Sequence, residues 1–446
     1  MWNDRWCSMR NPHPEQGTDN ATWLGLAGQD AQGPYDDGLH RRLLLSEDNG
    51  QSFCWEGAWR AGAGNYIEYG GTLDYDCADG DFDPLEQATE FAPCFDGDPY
   101  EVLPEVGTVH DIEGVSADQF VAITLTSCLD TDGGDNGECL AYGGGGVYLG
   151  EYTGATVSGL DVVEVDASPL ATSTCSTLDR FHANAQPELE PHPDSQWTSS
   201  GYARFFLKFK DYADSTTGVS CTGGVWELSF DTLDPALFTV WRQVDLALSS
   251  GYGNPRDRTN NVLGLAMAPD GRWLLVYGAT EYEYPVGTQT AWRATSWLNA
   301  YDLDSGGITW PPAGPGTLVP AKTAVWTADV LSASPSPADF TGSLPFIVRT
   351  VRPHPHVDNT WFFGGYASSE CPTCADGGAW ELQRRYRLTT HAWNWAWRRL
   401  TGNEFEGGRV VQMDWGNDPA NALGTEMSAL YIQSHGTGPV EAQLSW

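Results

Sequence analysis

Two distant stretches of this chain read almost identically. Residues 223–228 are Gly-Gly-Val-Trp-Glu-Leu, and residues 377–382 are Gly-Gly-Ala-Trp-Glu-Leu. A third stretch, residues 145–148, places the same glycine pair before Val-Tyr. Recurrence of this kind is typical of repeat architectures, in which one supersecondary unit is used several times. A glycine pair before aromatic and β-branched residues predicts a turn that leads into a β-strand.

Two further signals recur in a fixed order around this motif. A Pro/Asp turn precedes an aromatic residue at 191–197, 269–273 and 353–361, and a second turn leads into a Trp-containing stretch at 231–241 and 389–397. Each unit therefore reads as strand, Pro/Asp turn, strand, variable loop, Gly-Gly strand, turn, strand. Four antiparallel strands in that order form one blade of a β-propeller.

The sequence thus predicts an all-β chain that forms a single β-propeller domain over residues 1–446. We expect about six four-stranded antiparallel blades, near 8–60, 106–170, 182–246, 258–313, 343–402 and 407–446. Residues 61–105 are rich in Asp, Gly and Pro and contain two cysteines. We interpret them as an acidic insertion, and a seventh blade there is the alternative.

One closing turn carries a recognisable hairpin pattern. Ser46, Asp48, Gly50 and Phe53 have the spacing S-x-D-x-G-x-S-F, in which Ser and Asp oxygens accept backbone hydrogen bonds and Gly permits a positive φ. A near copy contains Asp304, Gly306 and Trp310. The pattern resembles the Asp box of BNR (sialidase-like) β-propellers. That resemblance implies a structural role for these residues at outer hairpins, away from the channel where propellers usually bind ligands.

The charge of the chain restricts its partners. Its 60 acidic and 23 basic residues give a net charge of −37, which repels phosphate backbones, so we expect no nucleic-acid binding. Calcium, cationic partners or an extracellular milieu suit such a surface, and solubility alone is the simpler explanation. No apolar run is long enough for a transmembrane helix.

Ten cysteines, an even number, lie mostly in Gly- and Asp-rich stretches, which favours disulfides in an oxidising compartment. We predict pairing of Cys128 with Cys139, of Cys77 with Cys94, and of Cys371 with Cys374. The last pair forms a C-x-x-C motif, but no second pair completes a zinc site. We therefore expect an extracellular, periplasmic or cell-surface protein, although the first residues contain no apolar signal-peptide core, and we expect the natural leader to precede them.

Acidic stretches are candidates for calcium binding. Asp130, Asp132, Asp135, Asn136 and Glu138 place oxygen ligands around flexible glycines, as hard cations require. A second acidic cluster contains Asp74, Asp76, Asp79, Asp81 and Asp83. Solvated acidic loops are the alternative explanation for both. The sequence requires no cofactor, and Ca²⁺ is the one ion that it suggests.

Catalytic groups would have to come from the innermost strands. The sialidase resemblance implies an arginine triad for a substrate carboxylate, for which Arg10, Arg349 and Arg409 are the candidates. Asp111 and Glu188 could form the carboxylate pair that glycosidases need. The F/Y-R-I-P signature of sialidases is absent, and no tyrosine is evidently placed as a nucleophile. The histidines of the Pro-His-Pro turns, which are His13, His192, His354 and the neighbouring His356, are expected to serve the turns.

The sequence therefore predicts a secreted or cell-surface propeller that acts as a non-enzymatic binding or scaffold module for a protein or glycan partner. We expect the partner on the loop-rich face, with Trp197, Trp361 and Tyr366 as exposed aromatic contacts. A sialidase-like glycoside hydrolase is one alternative. A structural subunit of an extracellular assembly is another.

Overall fold

The computed structural model describes the chain in segments, and all structural statements below concern these residues. They are 5–10, 23–30, 39–46, 54–55, 108–115, 119–131, 139–152, 160–182, 185–193, 201–214, 217–244, 257–286, 289–305, 310, 312–325, 329–330, 344–354, 357–367, 377–400, 410–417, 427–434 and 437–443. Nearly all the described residues with regular secondary structure lie in β-strands, and these strands pair mainly in antiparallel sheets. The predicted all-β antiparallel class is confirmed.

Sheets 1 and 2 each contain four antiparallel strands. Sheet 1 has the order β1 (Arg5–Arg10), β2 (Trp23–Asp30), β3 (Leu39–Ser46), β4 (Cys54–Trp55). Sheet 2 consists of β5 (Thr108–Gly114), β6 (Gln119–Leu125), β9 (Gly146–Tyr152) and β10 (Leu160–Val165), with a separate hairpin of β7 (Ser127–Thr131) and β8 (Cys139–Gly143) between its second and third strands.

Sheets 3 and 4 repeat this arrangement. Sheet 3 consists of β11 (Glu188–Pro191), β12 (Tyr202–Phe209), β15 (Gly224–Asp231) and β16 (Thr239–Val244), with a hairpin of β13 (Tyr212–Asp214) and β14 (Val219–Cys221). Sheet 4 consists of β17 (Asp257–Met267), β18 (Trp273–Val286), β19 (Gln289–Asp302) and β21 (Ala321–Ala324). The intervening β20 (Gly316–Leu318) adds to β16 of sheet 3 in parallel.

Sheets 5 and 6 complete the described part. Sheet 5 consists of β23 (Ile347–Pro353), β24 (Thr360–Tyr366), β25 (Gly378–Arg387) and β26 (Ala392–Arg399), and β22 (Asp329–Val330) joins β26 in parallel. Sheet 6 consists of β27 (Val410–Asn417), β28 (Met427–Ser434) and β29 (Thr437–Gln443). The first strands of sheets 2 to 6 lie side by side in chain order, and we call these five strands (β5, β11, β17, β23 and β27) the inner strands.

The glycine pair of the repeat has a steric reason. A Cβ atom on Gly223 would lie 2.6 Å from both the amide nitrogen of Asp211 and the carbonyl oxygen of Phe209. In sheet 5, Gly378 adopts a φ of 100°, a conformation that side chains disfavour. The first glycine therefore allows the third strand to approach the chain that precedes it, and the second makes the turn into the strand.

The core lies between the faces of neighbouring sheets and is rich in tryptophan. One cluster between sheets 4 and 5 includes Trp273, Trp361, Trp380, Trp395 and Trp397. Trp361 is fully buried in it, so the expectation that Trp361 is an exposed partner contact is wrong. Residue 361 follows a turn, but its side chain points into the space between the sheets, where burial of a large aromatic surface is favourable. Trp197 lies outside the described residues, and Tyr366 is partly buried.

The segment between sheets 2 and 3 is attached covalently to sheet 3. It contains a short helix, α1 (Thr177–Arg180), whose N-terminus is capped reciprocally by Ser176 and Asp179. Cys175 forms a disulfide with Cys221 at the end of β14. The sequence did not single out this pair. The three predicted cysteine pairs lie outside the residues whose side chains the structure describes, and they remain predictions.

Within the described segments, no helix is long and apolar enough to cross a membrane.

Candidate functional site

A β-bulge recurs at one level of the inner strands. In four of them the pairing with the second strand skips one residue: His110 in β5, Leu263 in β17, Arg349 in β23 and Val411 in β27. In sheets 2, 4 and 5, the residue five positions after the bulge donates the N–H that closes the following turn. These residues are Val115, Ala268 and His354. Bulges re-aim side chains and are often found near functional sites. The side chains around this level, from the inner strands and from the strands paired with them, form the candidate site.

Acidic side chains of the inner strands connect neighbouring sheets. The backbone N–H of Leu189 in sheet 3 donates to Oδ2 of Asp111 in sheet 2, at 2.9 Å. The backbone N–H of Met267 in sheet 4 donates to Oε1 of Glu190 in sheet 3, at 2.5 Å. Both carboxylates therefore accept a backbone hydrogen bond from the next sheet along the chain.

A third carboxylate of the inner strands is paired with a buried lysine. Glu188 lies directly opposite Lys208 in the register of β11 and β12, and the lysine Nζ is 3.3 Å from Oε2 of Glu188. Burial lowers the pKa of Lys208, while Glu188 and Asp111 act in the opposite direction. The ammonium group therefore depends on these two carboxylates to remain charged inside the protein.

Tyr277 of sheet 4 reaches the same place through a gap in its own inner strand. It lies opposite Gly264, and a Cβ atom on that glycine would lie 2.1 Å from the tyrosine hydroxyl. Burial raises the pKa of Tyr277 well above its usual value, and Glu188 adds to the effect. The phenol thus remains protonated at any physiological pH and is available as a hydrogen-bond donor.

Two arginines from sheet 5 complete the cluster. Arg349 is the exposed bulge residue of β23, and the Nη1 of Arg352 donates to the carbonyl oxygen of Val351 at 3.0 Å. Both act electrostatically on Tyr277 and favour its ionised form, against the larger effect of burial. The cluster, which we call the inner-strand site, consists of Asp111, Glu188, Glu190, Lys208, Tyr277, Arg349 and Arg352.

Of the five predicted catalytic candidates, Glu188 and Asp111 both act electrostatically on Lys208, and Glu188 and Arg349 both act on Tyr277. Asp111, Glu188 and Arg349 belong to the inner-strand site. Arg10 lies in β1, but its side chain is not among those described, and Arg409 lies outside the described residues. Sequence reasoning missed Lys208 and Tyr277, because each acts across a strand pair. One signal for Tyr277 was present in the sequence. At the level where β5 carries Asp111 and β11 carries Glu188, β17 carries a glycine, Gly264.

The Pro-His-Pro turns place two histidines at equivalent positions. The N–H of His192 bonds to the carbonyl of Arg204, and the N–H of His354 bonds to that of Thr360. The Nε2 of His192 lies 2.8 Å from the carbonyl oxygen of Gly271 in the next sheet and 3.1 Å from Nη1 of Arg204. Burial, reinforced by Arg204, lowers the pKa of His192 to about 3, so its ring is neutral.

No group of three metal-ligating side chains occurs among the described residues. Asp130 lies in β7, but its side chain is not described, and Asp132, Asp135, Asn136 and Glu138 lie outside the described residues. The second acidic cluster, His13 and His356 also lie outside them. The calcium sites therefore remain predictions.

The Asp-box residues are described in part. Ser46 ends β3, while Asp48, Gly50, Phe53 and Gly306 lie outside the described residues. Asp304 follows sheet 4's third strand and donates its N–H to Oδ1 of Asp302 at 3.3 Å. Trp310 donates from Nε1 to Ser229 of sheet 3 at 3.1 Å, and the fourth strand of sheet 4 begins later, at Ala321.

Comparisons with known proteins do not identify the function of this site. No family model and no curated protein matches the chain. Among solved structures, it is similar to the α-L-arabinofuranosidase Arb93A from Fusarium graminearum in complex with an iminosugar inhibitor, with 12% identity over 93% of this chain and 85% of that one and a TM-score of 0.35. It is also similar to Drosophila semaphorin 1a, extracellular domains 1–2, with 10% identity over 95% and 84% and a TM-score of 0.35. Similarity at this level carries no argument about function.

Proposed function

We propose that this chain is an extracellular or cell-surface β-propeller that binds a protein or glycan partner without catalysing a reaction. The meander sheets are its blades, and the inner strands line its channel. The adjacency of successive inner strands supports this arrangement. The disulfide between Cys175 and Cys221 supports an oxidising compartment.

One observation carries the choice of binding over catalysis. The three carboxylates best placed for acid–base chemistry are engaged in the structure itself: Asp111 and Glu190 with backbone N–H groups of the next sheet, and Glu188 with Lys208. Glycoside hydrolysis needs one carboxylic acid that gives a proton and a second carboxylate that attacks or activates water. Each of the three carboxylates thus has an oxygen that a donor of the protein itself occupies, which leaves less of it to serve a substrate.

The exposed cationic group of this site is a guanidinium. Arg349 is exposed on its bulge, whereas Tyr277 is buried. Guanidinium groups bind carboxylates through two parallel hydrogen bonds. The site therefore suits a carboxylate of the partner, whether that group belongs to a sugar acid or to an acidic side chain.

Binding and catalysis can be separated with three variants. We expect Arg349→Gln to weaken binding to an acidic-glycan array or to a captured protein about tenfold, the loss typical of one charge-assisted hydrogen bond. Glu188→Gln serves as a structural comparison, and Tyr277→Phe removes only the hydroxyl. Turnover of aryl glycosides by the wild type that disappears in the Glu188 variant would overturn the proposal.

A glycoside hydrolase is the second candidate, and one observation favours it. Tyr277 lies among Glu188, Glu190 and two arginines, and a tyrosine, a glutamate and arginines are the groups that the sialidase resemblance implies. This candidate predicts hydrolysis of an aryl sialoside that Tyr277→Phe abolishes. An assembly subunit, in contrast, predicts stable oligomers in analytical ultracentrifugation.

Calcium binding by the stretch from Asp130 to Glu138 is proposed as an additional feature. A bound ion stabilises the folded state by mass action, by about 1.4 kcal/mol when its concentration is ten times the dissociation constant. Melting with calcium and with a chelator tests this, and identical melting temperatures would remove calcium from the proposal.

A further inference from the structure

Three of the described sheets carry a glutamate at the same place on the third strand. In each case the glutamate follows a glycine by three positions and lies opposite an aromatic residue of the second strand. The pairs are Glu227 with Phe206 in sheet 3, Glu381 with Phe362 in sheet 5, and Glu441 with Tyr431 in sheet 6. The last sheet therefore repeats the arrangement of sheets 3 and 5.

The position of Glu441 also follows from the bulges of the inner strands. In sheet 5, a count from the bulge leads to the fifth residue after it, to the partner of that residue on the second strand, and two residues further to Phe362, which pairs with Glu381. The same count in sheet 6 leads to Tyr431, which pairs with Glu441. The two glutamates are therefore equivalent in the geometry of their sheets as well as in sequence.

The glutamate of the third strand occurs together with an arginine of the fourth strand. Glu227 and Glu381 are buried, and each accepts a hydrogen bond from an arginine directly opposite it on the fourth strand. In sheets 2 and 4 the same count gives neither residue. The pairs there are Leu149 with Val163 and Ala300 with Thr323. A buried carboxylate needs a cationic partner, so the glutamate at this place predicts an arginine on the strand beside it.

Sheet 6 carries the glutamate but, within the described part of the chain, it has no fourth strand. Its order is β27, β28, β29, whereas sheets 1 to 5 each have a further strand beside the third. Pro439 corresponds to Ala379, which precedes the first register pair of β25 and β26, so the proline lies before the residues that would pair. An open strand edge presents N–H and C=O groups with which an extended segment can pair.

The strands that occupy this place in sheets 3 and 5 have a common chemistry. Each contains a Trp-Arg pair, in which Trp241 and Trp397 are buried and the following arginine lies opposite the glutamate. Together β16 and β26 contain three arginines and no acidic residue. Within the described segments, both strands are already paired in their own sheets. The repeat therefore specifies a basic, tryptophan-containing strand for the open edge of β29.

We propose that an extended segment of a partner polypeptide completes sheet 6, adding to β29 in antiparallel orientation with an arginine opposite Glu441. Main-chain hydrogen bonds supply the affinity, and the arginine–glutamate pair fixes the register, since a slip of one residue would turn the arginine to the other face. The net charge of −37 attracts a basic segment. β29 is separated from the inner strand β27 by β28, so this site does not depend on the inner-strand site.

Titration with a synthetic peptide tests the proposal. The peptide has the sequence of residues 238–244, Phe-Thr-Val-Trp-Arg-Gln-Val, which includes the fourth strand of sheet 3. We expect it to bind the folded protein and to slow amide hydrogen exchange in residues 440–443. Glutamine in place of the peptide's arginine should weaken binding at least about tenfold, and Glu441→Gln should weaken it equally.

A charge exchange separates direct pairing from misfolding. Glu441→Arg should no longer bind the arginine peptide and should bind a peptide with glutamate in its place. Glu164→Gln, which changes an exposed glutamate on the fourth strand of sheet 2, should bind like the wild type. Arg349→Gln, which changes the inner-strand site, should also bind normally.

The other outcomes overturn the proposal. Equal binding of the arginine and glutamine peptides would exclude the pair with Glu441. Slower exchange in another sheet, without protection of β29, would place the peptide elsewhere, and loss of binding in Arg349→Gln would place it at the inner-strand site. No binding by the folded wild type would show that the edge does not accept a strand. Dimers in analytical ultracentrifugation that Glu441→Arg dissociates would assign the edge to a second copy of this chain instead of a partner.

Discussion

Sheets 3 and 5 carry the same motif and hold its glutamate in two different ways. In sheet 3, Glu227 lies opposite Arg242, and in sheet 5, Glu381 lies opposite Arg398. Each arginine donates from Nε to Oε2 of its glutamate. The motif therefore encodes a buried carboxylate on the third strand and a guanidinium on the fourth, which the shared register brings together.

The second partner of the glutamate differs between the two sheets. Glu227 also accepts from Nε of Arg204 at 2.6 Å, so it lies between two arginines whose side chains are 6% and 11% exposed. In sheet 5 the position of Arg204 is occupied by Thr360, and Nε2 of Gln383 donates to Glu381 instead, at 2.5 Å. Arg398 is 50% exposed. The same motif thus forms a buried ionic triad in one sheet and a partly hydrated pair in the other.

The largest expected difference concerns removal of the shared carboxylate. Glu227→Gln leaves two buried guanidinium groups without a counter-ion, and we expect a loss of about 3–5 kcal/mol in the free energy of unfolding. Glu381→Gln leaves an arginine that water can reach, and we expect a loss of about 1 kcal/mol. Denaturant unfolding of both variants measures the difference. Equal losses would mean that the two sites are energetically the same despite their geometry.

The disulfide of sheet 3 should stabilise the folded protein more than the disulfide predicted near sheet 5. The bond between Cys175 and Cys221 spans 46 residues, and the loop-entropy relation gives it about 4 kcal/mol of stabilisation. A bond between Cys371 and Cys374 would close a very short loop and contribute about 2 kcal/mol. Unfolding of the two double Cys→Ser variants tests this order. A larger loss from the Cys371 and Cys374 pair would contradict the entropic explanation.

Acid should destabilise sheet 3 through His192. The pKa of His192 is lowered to about 3 in the folded protein and is about 6.5 in the unfolded chain, so the unfolded state binds the proton more readily. The stability of the protein therefore falls as the pH decreases from 6.5 towards 3, by about 2 kcal/mol between pH 7 and pH 5 for this group alone.

Unfolding free energies at pH 7 and pH 5 check the contribution of His192. In His192→Gln this part of the pH dependence should disappear. The matched variant His354→Gln in sheet 5 shows whether the equivalent turn behaves in the same way. An unchanged pH dependence in the His192 variant would exclude this histidine as its source.

The sequence predicted what depends on local patterns. The glycine pair before aromatic and β-branched residues predicted strands that the structure contains, because steric requirements at Gly223 and Gly378 are local. The order of turns and strands predicted antiparallel meanders, in which neighbouring strands follow each other along the chain. These features needed no knowledge of which sheet packs against which.

Features that depend on a partner across the fold were not predictable. Tyr277 reaches the inner-strand site only because Gly264 lies opposite it, and that pairing is set by a bulge one residue earlier. Trp361 was expected to be an exposed contact on the loop-rich face, yet the face of its strand is covered by the neighbouring sheet. Cys175 and Cys221 are adjacent only because the segment after sheet 2 folds onto sheet 3.

The smallest expected effect concerns the residue that replaces Arg204 in sheet 5. Gln383→Ala removes one hydrogen bond from the buried Glu381, and Arg398 remains as its partner. We expect the free energy of unfolding to fall by about 1 kcal/mol. Arg204→Ala in sheet 3 should have a larger effect, about 3 kcal/mol, because it removes a buried charge from a triad. If both variants lose the same amount, the second partner of the glutamate acts only by filling space, and the distinction between triad and pair rests on the fourth-strand arginine alone.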